Sequence, residues 1–186
     1  KSVIGLIHPP GKIVSGSIQF KGQELTRLNS QQYQIVRGNQ IAMIMQDPMT
    51  ALNPVVRIKD QIKETLQEDG MTSEKDVLDR AVQLMKLVGI PAPERRLNEY
   101  PHQFSGGMRQ RGMIASALSR NPKLMLADEP TTAVDVTIQD QILKLLVSLQ
   151  HELGMGMVLV THDLGVIAQT SDRVAEIFEK NPAVLD

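Results

Sequence analysis

The chain has 186 residues, a length that fits one compact domain with room for an inserted sub-domain. Hydrophobic residues make up 41% and charged residues 22%, and a net charge of -1 gives neither a basic bias toward nucleic acid nor the acidic excess of a disordered chain. The lack of cysteine excludes disulfides and thiolate metal sites and is compatible with a cytoplasmic location, while 3% aromatics argue against a base-stacking surface.

In the amino-terminal quarter, prolines and glycines that interrupt regular structure alternate with short predicted strands and helices. It starts at Lys1-Ser2 without an initiator Met or the organisation of a signal peptide, so we expect a fragment of a longer protein. Proline and glycine at 9–11 separate this start from the rest. The pattern predicts a strand over 14–20 and a second strand over 23–25 that pairs back as a hairpin. It also predicts a short helix over 30–36 and a continuous apolar strand over 40–45.

A helical section follows in the middle of the chain. Apolar residues at helical spacing (Ile58, Ile62, Leu66) predict a helix over 55–67. Ser73 caps a second helix, which runs to Val88 before a glycine and the prolines at 91 and 93. A third helix is predicted from Ser105 to about residue 119.

The last third alternates apolar strands with helices. Strands are predicted over 123–127 and 157–160, a long helix over 137–153, and another helix after Thr161-His162-Asp163. Apolar strands without alternation, joined by helices, indicate a mostly parallel sheet covered by helices on both faces. The fold class is therefore predicted as α/β, with a small antiparallel part and an inserted helical sub-domain.

Two acids stand where one apolar strand ends. Residues 124–130 read LMLADEP, and ligands bind at the carboxyl edge of open parallel sheets. Asp128 can hold Mg²⁺ there, directly or through water, and Glu129 can polarise an attacking water. A strand that simply ends in surface acids explains this segment equally well.

The third helix begins with a serine cap and two glycines. Ser105, Gly106 and Gly107 offer backbone N–H groups to an anion at a helix amino terminus. The alternative is an ordinary capped helix with glycines used for packing. Arg109 and Arg111, together with the acid pair downstream, favour the anion site.

Three weaker candidates follow the same logic. Gln46 and His162 each come directly after an apolar strand, where an amide oxygen can meet a metal or water and an imidazole can reach a phosphate. Lys1-Ser2 matches the last two letters of a phosphate loop, in which Lys binds β/γ-phosphates and Ser ligates Mg²⁺. Each alone is explained by an ordinary surface or structural residue.

The order of these motifs resembles that of ABC transporter ATPase subunits across nearly the whole chain. Ser105 to Arg109 is similar to the family signature, with Met108 where Gln is usual, and 124–129 is similar to the Walker B strand. Residues 133–135 resemble the D-loop, Gln46 the Q-loop and His162 the switch histidine. Finer wording resembles the oligopeptide, dipeptide and nickel importer branch, at 46–58, 100–111 and 127–143.

The resemblance implies a P-loop NTPase-like fold and a mechanism. A single ABC ATPase domain over 1–186 is implied, with a RecA-like core from 1–48 and 121–186 and a helical sub-domain at about 49–120. Two such domains face head to tail, with ATP between the phosphate loop of one and Ser105, Gly106 and Gly107 of the other. The roles implied are catalysis for Glu129, His162 and Gln46, nucleotide contacts for Lys1, Ser2, Ser105, Gly106, Gly107 and Asp135, and Mg²⁺ ligation for Ser2, Gln46 and Asp128.

The implied partners are a second ATPase subunit and membrane permease subunits, the latter through the region after Gln46. A peripheral position on the cytoplasmic face of the membrane and no nucleic acid follow from this. Two alternatives stay open: a soluble ABC ATPase of DNA repair or translation, and a non-hydrolysing interaction fragment. The compact stretch 55–100 favours transport over the first, and intact Glu129 and His162 argue against the second.

The chain departs from the family pattern at both ends. The glycines before Lys1 and the early aromatic that stacks on adenine are absent, and Gly5 with the prolines after it leaves the helix following Lys1-Ser2 short. After Asp172 the sequence passes directly to a string, 176–182, that resembles a more distal part of the family. We therefore expect a protein with only these residues to bind ATP poorly.

Overall fold

Five strands form two sheets in the computed structural model, which describes residues 1–7, 9–47, 51–68, 70–132 and 134–176. Strands β1 (Gln19–Phe20) and β2 (Gln23–Glu24) pair antiparallel. The larger sheet is parallel in the order β3-β4-β5, with bounds Ile41–Ile44, Leu124–Asp128 and Gly156–Val160. The predicted combination of a parallel sheet with a small antiparallel pair is confirmed.

Seven helices surround these strands in the described ranges. They are α1 (Ser30–Asn39), α2 (Ile58–Glu68), α3 (Glu74–Leu87), α4 (Pro93–Arg96), α5 (Gly106–Leu118), α6 (Val136–Leu153) and α7 (Leu164–Thr170). Short 3-10 turns cover Ser2–Ile4, Leu25–Arg27 and Pro101–Gln103. Within the described ranges, none of the helices combines the length and apolar character that crossing a bilayer requires.

Several predicted elements differ from the structure, among them the helix over 30–36, which runs to Asn39. The strand predicted over 14–20 is wrong for 14–18, because the Ile18 amide donates to Glu24 Oε1 at 3.0 Å and the ladder starts only at Gln19. Helix α2 begins at 58 rather than 55, since the side-chain Nε2 of Gln61 donates to the carbonyls of Asn53 and Val56 and holds them in a turn. Helix α4 was not predicted; Pro93 occupies its first position, where a missing N–H costs nothing.

One large apolar core lies between a sheet face and the helices. It joins Ile44, Met125 and Ala127 of the sheet to residues of α2, α3, α5 and α6, all at or below 5% exposure. Because these helices and the sheet share one core, the core itself does not mark a boundary at about 49 or 120. The predicted sub-domain boundary remains a prediction.

Among the described residues, the opposite sheet face is covered most fully over β3. A smaller core of Ile4, Leu25, Tyr33, Val36 and Ile41 packs α1 and the amino-terminal segment against β3. At the other end, the side chains of Val158 and Val160 on β5 are each 49% exposed. Helices therefore lie over both faces as expected, but among the described residues the part of this face on β5 is only half covered.

Candidate functional site

The parallel sheet brings the ends of its three strands to one edge. In the register, Ile44 pairs with Ala127, Ala127 pairs with Leu159, and Asp128 pairs with Val160. Polar residues follow each strand at this edge: Gln46, the Asp128-Glu129 pair and His162. Ligands of open α/β sheets bind at such a carboxyl edge.

Glu129 is the centre of the hydrogen-bonded group at this edge. Its Oε1 lies 2.9 Å from Nδ1 of His162. Its Oε2 accepts from Gln46 Nε2 at 2.8 Å and from the Thr132 hydroxyl at 2.9 Å. The Glu129 side chain is 24% exposed and that of His162 78%, so the carboxylate lies behind the imidazole and both remain open to a ligand.

The backbone explains why two adjacent acids point in different directions. Asp128 is the last residue of β4, whereas Glu129 has φ 44, in the left-handed region. The Glu129 amide still donates to Val160 O at 2.9 Å, which ties the turn to the end of β5. Such a conformation in a residue other than glycine costs energy and is concentrated at functional sites.

The hydrogen bonds keep the Glu129 carboxyl ionised. Its pKa is lowered below the ordinary range, first by the hydrogen bond from His162 and next by that from Thr132. A carboxylate of lowered pKa is a weak proton acceptor but a good hydrogen-bond acceptor. It is therefore suited to orient a water molecule at the sheet edge.

Asp128 offers oxygen ligands for a hard cation. Its side chain is half-buried, and among the described residues it has neither a hydrogen-bond nor an ion-pair partner. The described residues contain no group of three His, Asp or Glu side chains placed to hold a metal. Mg²⁺ commonly takes one or two protein oxygens and completes its shell with water and phosphate, so the residues here fit that ion when a nucleotide is present.

The glycines that open α5 are packing positions within the chain. Ser105 caps the helix through the Met108 amide at 3.3 Å. A Cβ on Gly107 would lie 2.9 Å from Ile138 Cγ2, whereas a Cβ on Gly106 would meet only Val134, at 3.8 Å. Gly107 thus lets α5 approach α6, and this packing role holds whatever a ligand does at the exposed Ser105 and Gly106.

Two arginines that favoured an anion site are engaged in structural hydrogen bonds. Arg109 Nε donates to the Phe104 carbonyl at 3.0 Å, and Arg111 Nη1 donates to the Val88 carbonyl at 2.7 Å. Arg111 thereby satisfies an orphan carbonyl at the end of α3. Each arginine therefore has a structural role within the chain.

Asp135 and the amino-terminal pair lie outside the Glu129 group. Asp135 is exposed and caps α6, its Oδ1 accepting from the Ile138 amide at 3.0 Å. Lys1 and Ser2 are exposed in the first turn, which Ile4 anchors in the smaller core. In the described chain, no side-chain hydrogen bond or ion pair joins Lys1 or Ser2 to Glu129 or Asp128, and their assigned roles stay predictions.

Two residues of the site were not found from the sequence. Thr132 binds Glu129, and Gln110 is 1% exposed with its amide donating to the Pro130 carbonyl. A polar residue on the core face of α5, between Gly106 and Met113, is the pattern that indicates a buried partner for Gln110. Ala133 of the D-loop match lies outside the described residues.

Known proteins share much of this sequence. A sequence profile of the ABC transporter family matches residues 1–132. The chain is 52% identical over 170 residues to the oligopeptide transport ATP-binding protein OppD of Bacillus subtilis (strain 168), covering 91% of the chain and 48% of OppD. It is 49% identical over 179 residues to the dipeptide transport ATP-binding protein DppD of the same organism, covering 96% of the chain and 53% of DppD. The chain thus spans about half the length of the curated relatives it matches.

Two solved structures resemble the fold. A dimeric ATP-binding cassette in a post-hydrolysis state, bound to ADP and Pi, aligns with a TM-score of 0.71 and 31% identity, over 82% of this chain and 65% of that one. CbiO1 from Clostridium perfringens, part of the ABC transporter complex cbiONQ, aligns with a TM-score of 0.76 and 26% identity, over 91% of this chain and 63% of that one.

Proposed function

The chain belongs to the ABC transporter family, and on this premise we propose that it binds and hydrolyses ATP as a subunit powering a peptide importer. One observation carries the proposal: Glu129 is held at the sheet edge between Gln46 and His162, with hydrogen bonds of 2.8 and 2.9 Å. Phosphoryl transfer to water is supported by the family, by the fold and by the position of this carboxylate beside an imidazole.

The chemistry assigns one task to each group. Water attacks the γ-phosphorus, the bond from that phosphorus to the β,γ-bridging oxygen breaks, and ADP leaves with the electron pair. Glu129 orients the water by accepting its hydrogen bond, while His162, 78% exposed, contacts the γ-phosphate. The proton released passes to the γ-phosphate oxygens or to solvent, because a carboxylate of lowered pKa holds it weakly.

Asp128 and Gln46 are the residues at the sheet edge that are proposed to hold Mg²⁺. The Gln46 amide nitrogen is committed to Glu129, which leaves its oxygen free to face a cation. Ser2 is proposed as a further ligand and Lys1 as a phosphate contact. When bound, the ion neutralises charge that develops on the phosphate oxygens.

A second copy or a paralogue is proposed to complete the site. The solved cassette bound to ADP and Pi is a dimer. Ser105 and Gly106 are exposed at the amino end of α5, where N–H groups and the helix dipole favour phosphate. We assign Ser105, Gly106 and Gly107 of one subunit to the ATP of the other, with Asp135 at the interface between the two sites.

The substrate class and membrane partner follow from the relatives. OppD and DppD are named for oligopeptide and dipeptide transport, which favours an importer over DNA repair or translation. The region after Gln46 presents Val55, 79% exposed, and Arg57, whose guanidinium lies 5.7 Å from the Tyr100 ring centroid. This surface is proposed to contact a permease subunit and to place the protein peripherally on the cytoplasmic membrane face. Residues 48–50 of that region lie outside the described residues.

Phosphate release from ATP by the full-length protein tests the proposal. Glu129→Gln is expected to lower kcat by about 10²- to 10⁴-fold, the usual worth of a positioned acid–base group, while ATP binding remains. Glu152→Gln, an exposed change on α6, is the matched control and is expected to leave kcat unchanged. Equal, residual activity in all three proteins would instead identify a non-hydrolysing interaction fragment.

A further inference from the structure

A buried amide connects helix α5 to the turn that carries Glu129. Gln110 lies in the second turn of α5 with 1% of its side chain exposed, and its Nε2 donates to the Pro130 carbonyl. Burying an amide costs energy unless it is hydrogen-bonded, so an apolar residue would be the cheaper choice for this core position. The polar side chain is therefore explained by the carbonyl that it binds.

The Pro130 carbonyl belongs to the turn that sets the direction of Glu129. Two backbone bonds shape this turn: Glu129 N to Val160 O at 2.9 Å and Thr132 N to Glu129 O at 3.3 Å. Pro130 has no N–H to donate, so its carbonyl is its only backbone hydrogen-bonding group, and Gln110 takes it. The φ of 44 at Glu129 persists only if its surroundings hold it, and Gln110 is the support from the helical side.

The same helix carries Ser105 at its amino end. Gly107 packs against Ile138 within the first turn, and Gln110 reaches Pro130 in the second, so one contact fastens α5 to α6 and the other fastens it to the turn after β4. A shift of α5 along its axis moves the Gln110 amide, and with it Pro130 and Glu129.

We propose that Gln110 is a positioning residue that couples the Ser105 end of α5 to the placement of the Glu129 carboxylate between Gln46 and His162. The effect of Gln110 on catalysis rests on the ATPase function proposed above. Its effect on the position of the Glu129 carboxylate does not. Gln110 itself touches neither the reacting atoms nor the Glu129 side chain.

Gln110→Met tests this coupling because methionine keeps the length and volume of the side chain and removes its amide group, and with it the hydrogen-bond donor. Ser119→Ala is the matched control. Ser119 is a buried polar residue at the far end of α5, 2% exposed, and its hydroxyl donates to the Ser116 carbonyl at 2.7 Å. Each variant therefore removes one buried hydrogen bond to a carbonyl, but only Gln110→Met acts on the Glu129 turn.

Two measurements separate positioning from ordinary stability. The ¹⁵N resonance of His162 Nδ1 reports its contact with Glu129, and steady-state kinetics report kcat and KM for ATP. We expect Gln110→Met to move the resonance toward its position in Glu129→Gln and to lower kcat at least tenfold with KM within twofold. Ser119→Ala is expected to change neither, although its Tm falls.

An unmoved His162 resonance in folded Gln110→Met, with kinetics like those of Ser119→Ala, overturns the proposal. If the full-length wild-type protein has no ATPase activity, the proposed function fails, and the resonance alone decides the positioning. If Gln110→Met does not fold, Gln110→Asn keeps the amide but withdraws it by one methylene. It is expected to move the same resonance, and a folded Gln110→Asn with no movement overturns the coupling.

Discussion

His162 Nδ1 lies 2.9 Å from Glu129 Oε1, and this contact joins the residues that follow β5 and β4 where both strands end. The hydrogen bond is the largest cause of the lowered Glu129 pKa. A group whose pKa is lower in the folded than in the unfolded state contributes stability only while it is ionised. The contact therefore makes folding stability dependent on pH in the acid range.

The first prediction compares wild type with Glu129→Gln over that range. The carboxylate's contribution is fully present above its ordinary pKa of 4.5 and is lost as pH falls through the lowered value. We expect Glu129→Gln to be the less stable protein at neutral pH and the difference in unfolding free energy to shrink below pH 4.5. Urea denaturation from about pH 7 to about pH 3 measures it.

The difference in stability between wild type and Glu129→Gln isolates the contribution of the Glu129 carboxyl from those of other groups. Glu24 and Glu94 also have lowered pKa values, but they titrate in both proteins and cancel in the difference. A difference that stays constant or grows on acidification would contradict the assignment of the shift to Glu129.

The second prediction concerns Gly107. In Gly107→Ala the new Cβ would lie 2.9 Å from Ile138 Cγ2, and that methyl sits on a stiff, β-branched side chain. The helices must move apart, at a cost of about 1–3 kcal/mol of unfolding free energy. Denaturant unfolding measures the loss, and adding Ile138→Ala is expected to recover part of it.

Gly106→Ala is the matched control for the neighbouring glycine. Its Cβ would meet only Val134 Cγ1, at an ordinary 3.8 Å, so stability is expected to stay within about 0.5 kcal/mol of wild type. A fall in ATPase activity in this stable variant would assign Gly106 a role at the nucleotide. Equal destabilisation by both alanines would show that Ile138 does not set the requirement at Gly107.

The strand ends were predictable from the sequence, and the roles of the helix residues were not. Apolar runs without alternation located β3, β4 and β5, and the parallel register then brings Gln46, Glu129 and His162 to one edge. The left-handed turn at Glu129 has no local sequence pattern, since it is held by Val160 and Gln110 from elsewhere in the chain.

The contacts of the two arginines in α5 could not be predicted from the motif around Ser105. A sequence places Arg109 and Arg111 near Ser105 but does not reveal that the Phe104 and Val88 carbonyls lie within their reach. Such contacts depend on tertiary packing between α3 and α5. The exposure of Val158 and Val160 on β5 likewise depends on how the helices pack over the sheet rather than on any pattern in the strand.

The third prediction concerns the cap that Arg111 forms on α3. Arg111→Met keeps the apolar stem and leaves the Val88 carbonyl without its 2.7 Å partner. We expect a loss of about 1–2 kcal/mol, typical of a hydrogen bond from a charged donor to a partly buried acceptor. Arg95→Met is the control: its 3.6 Å pair with Glu99 lies on the surface, its side chain is 71% exposed, and its removal should cost well under about 1 kcal/mol. Equal losses in chemical denaturation would contradict the capping role.

The last prediction separates two roles of Asp135. Its Oδ1 caps α6 through the Ile138 amide at 3.0 Å, and the proposed dimer also places its charge at the interface. Asn caps a helix as well as Asp, so Asp135→Asn is expected to keep the wild-type Tm, whereas Asp135→Ala loses about 1 kcal/mol of stability. If the charge couples the two sites, both variants lower kcat for ATP, although only the alanine variant is less stable. Steady-state phosphate release and thermal unfolding on the same preparations measure the two effects. A fully active Asp135→Asn would leave capping as the sole role of this residue.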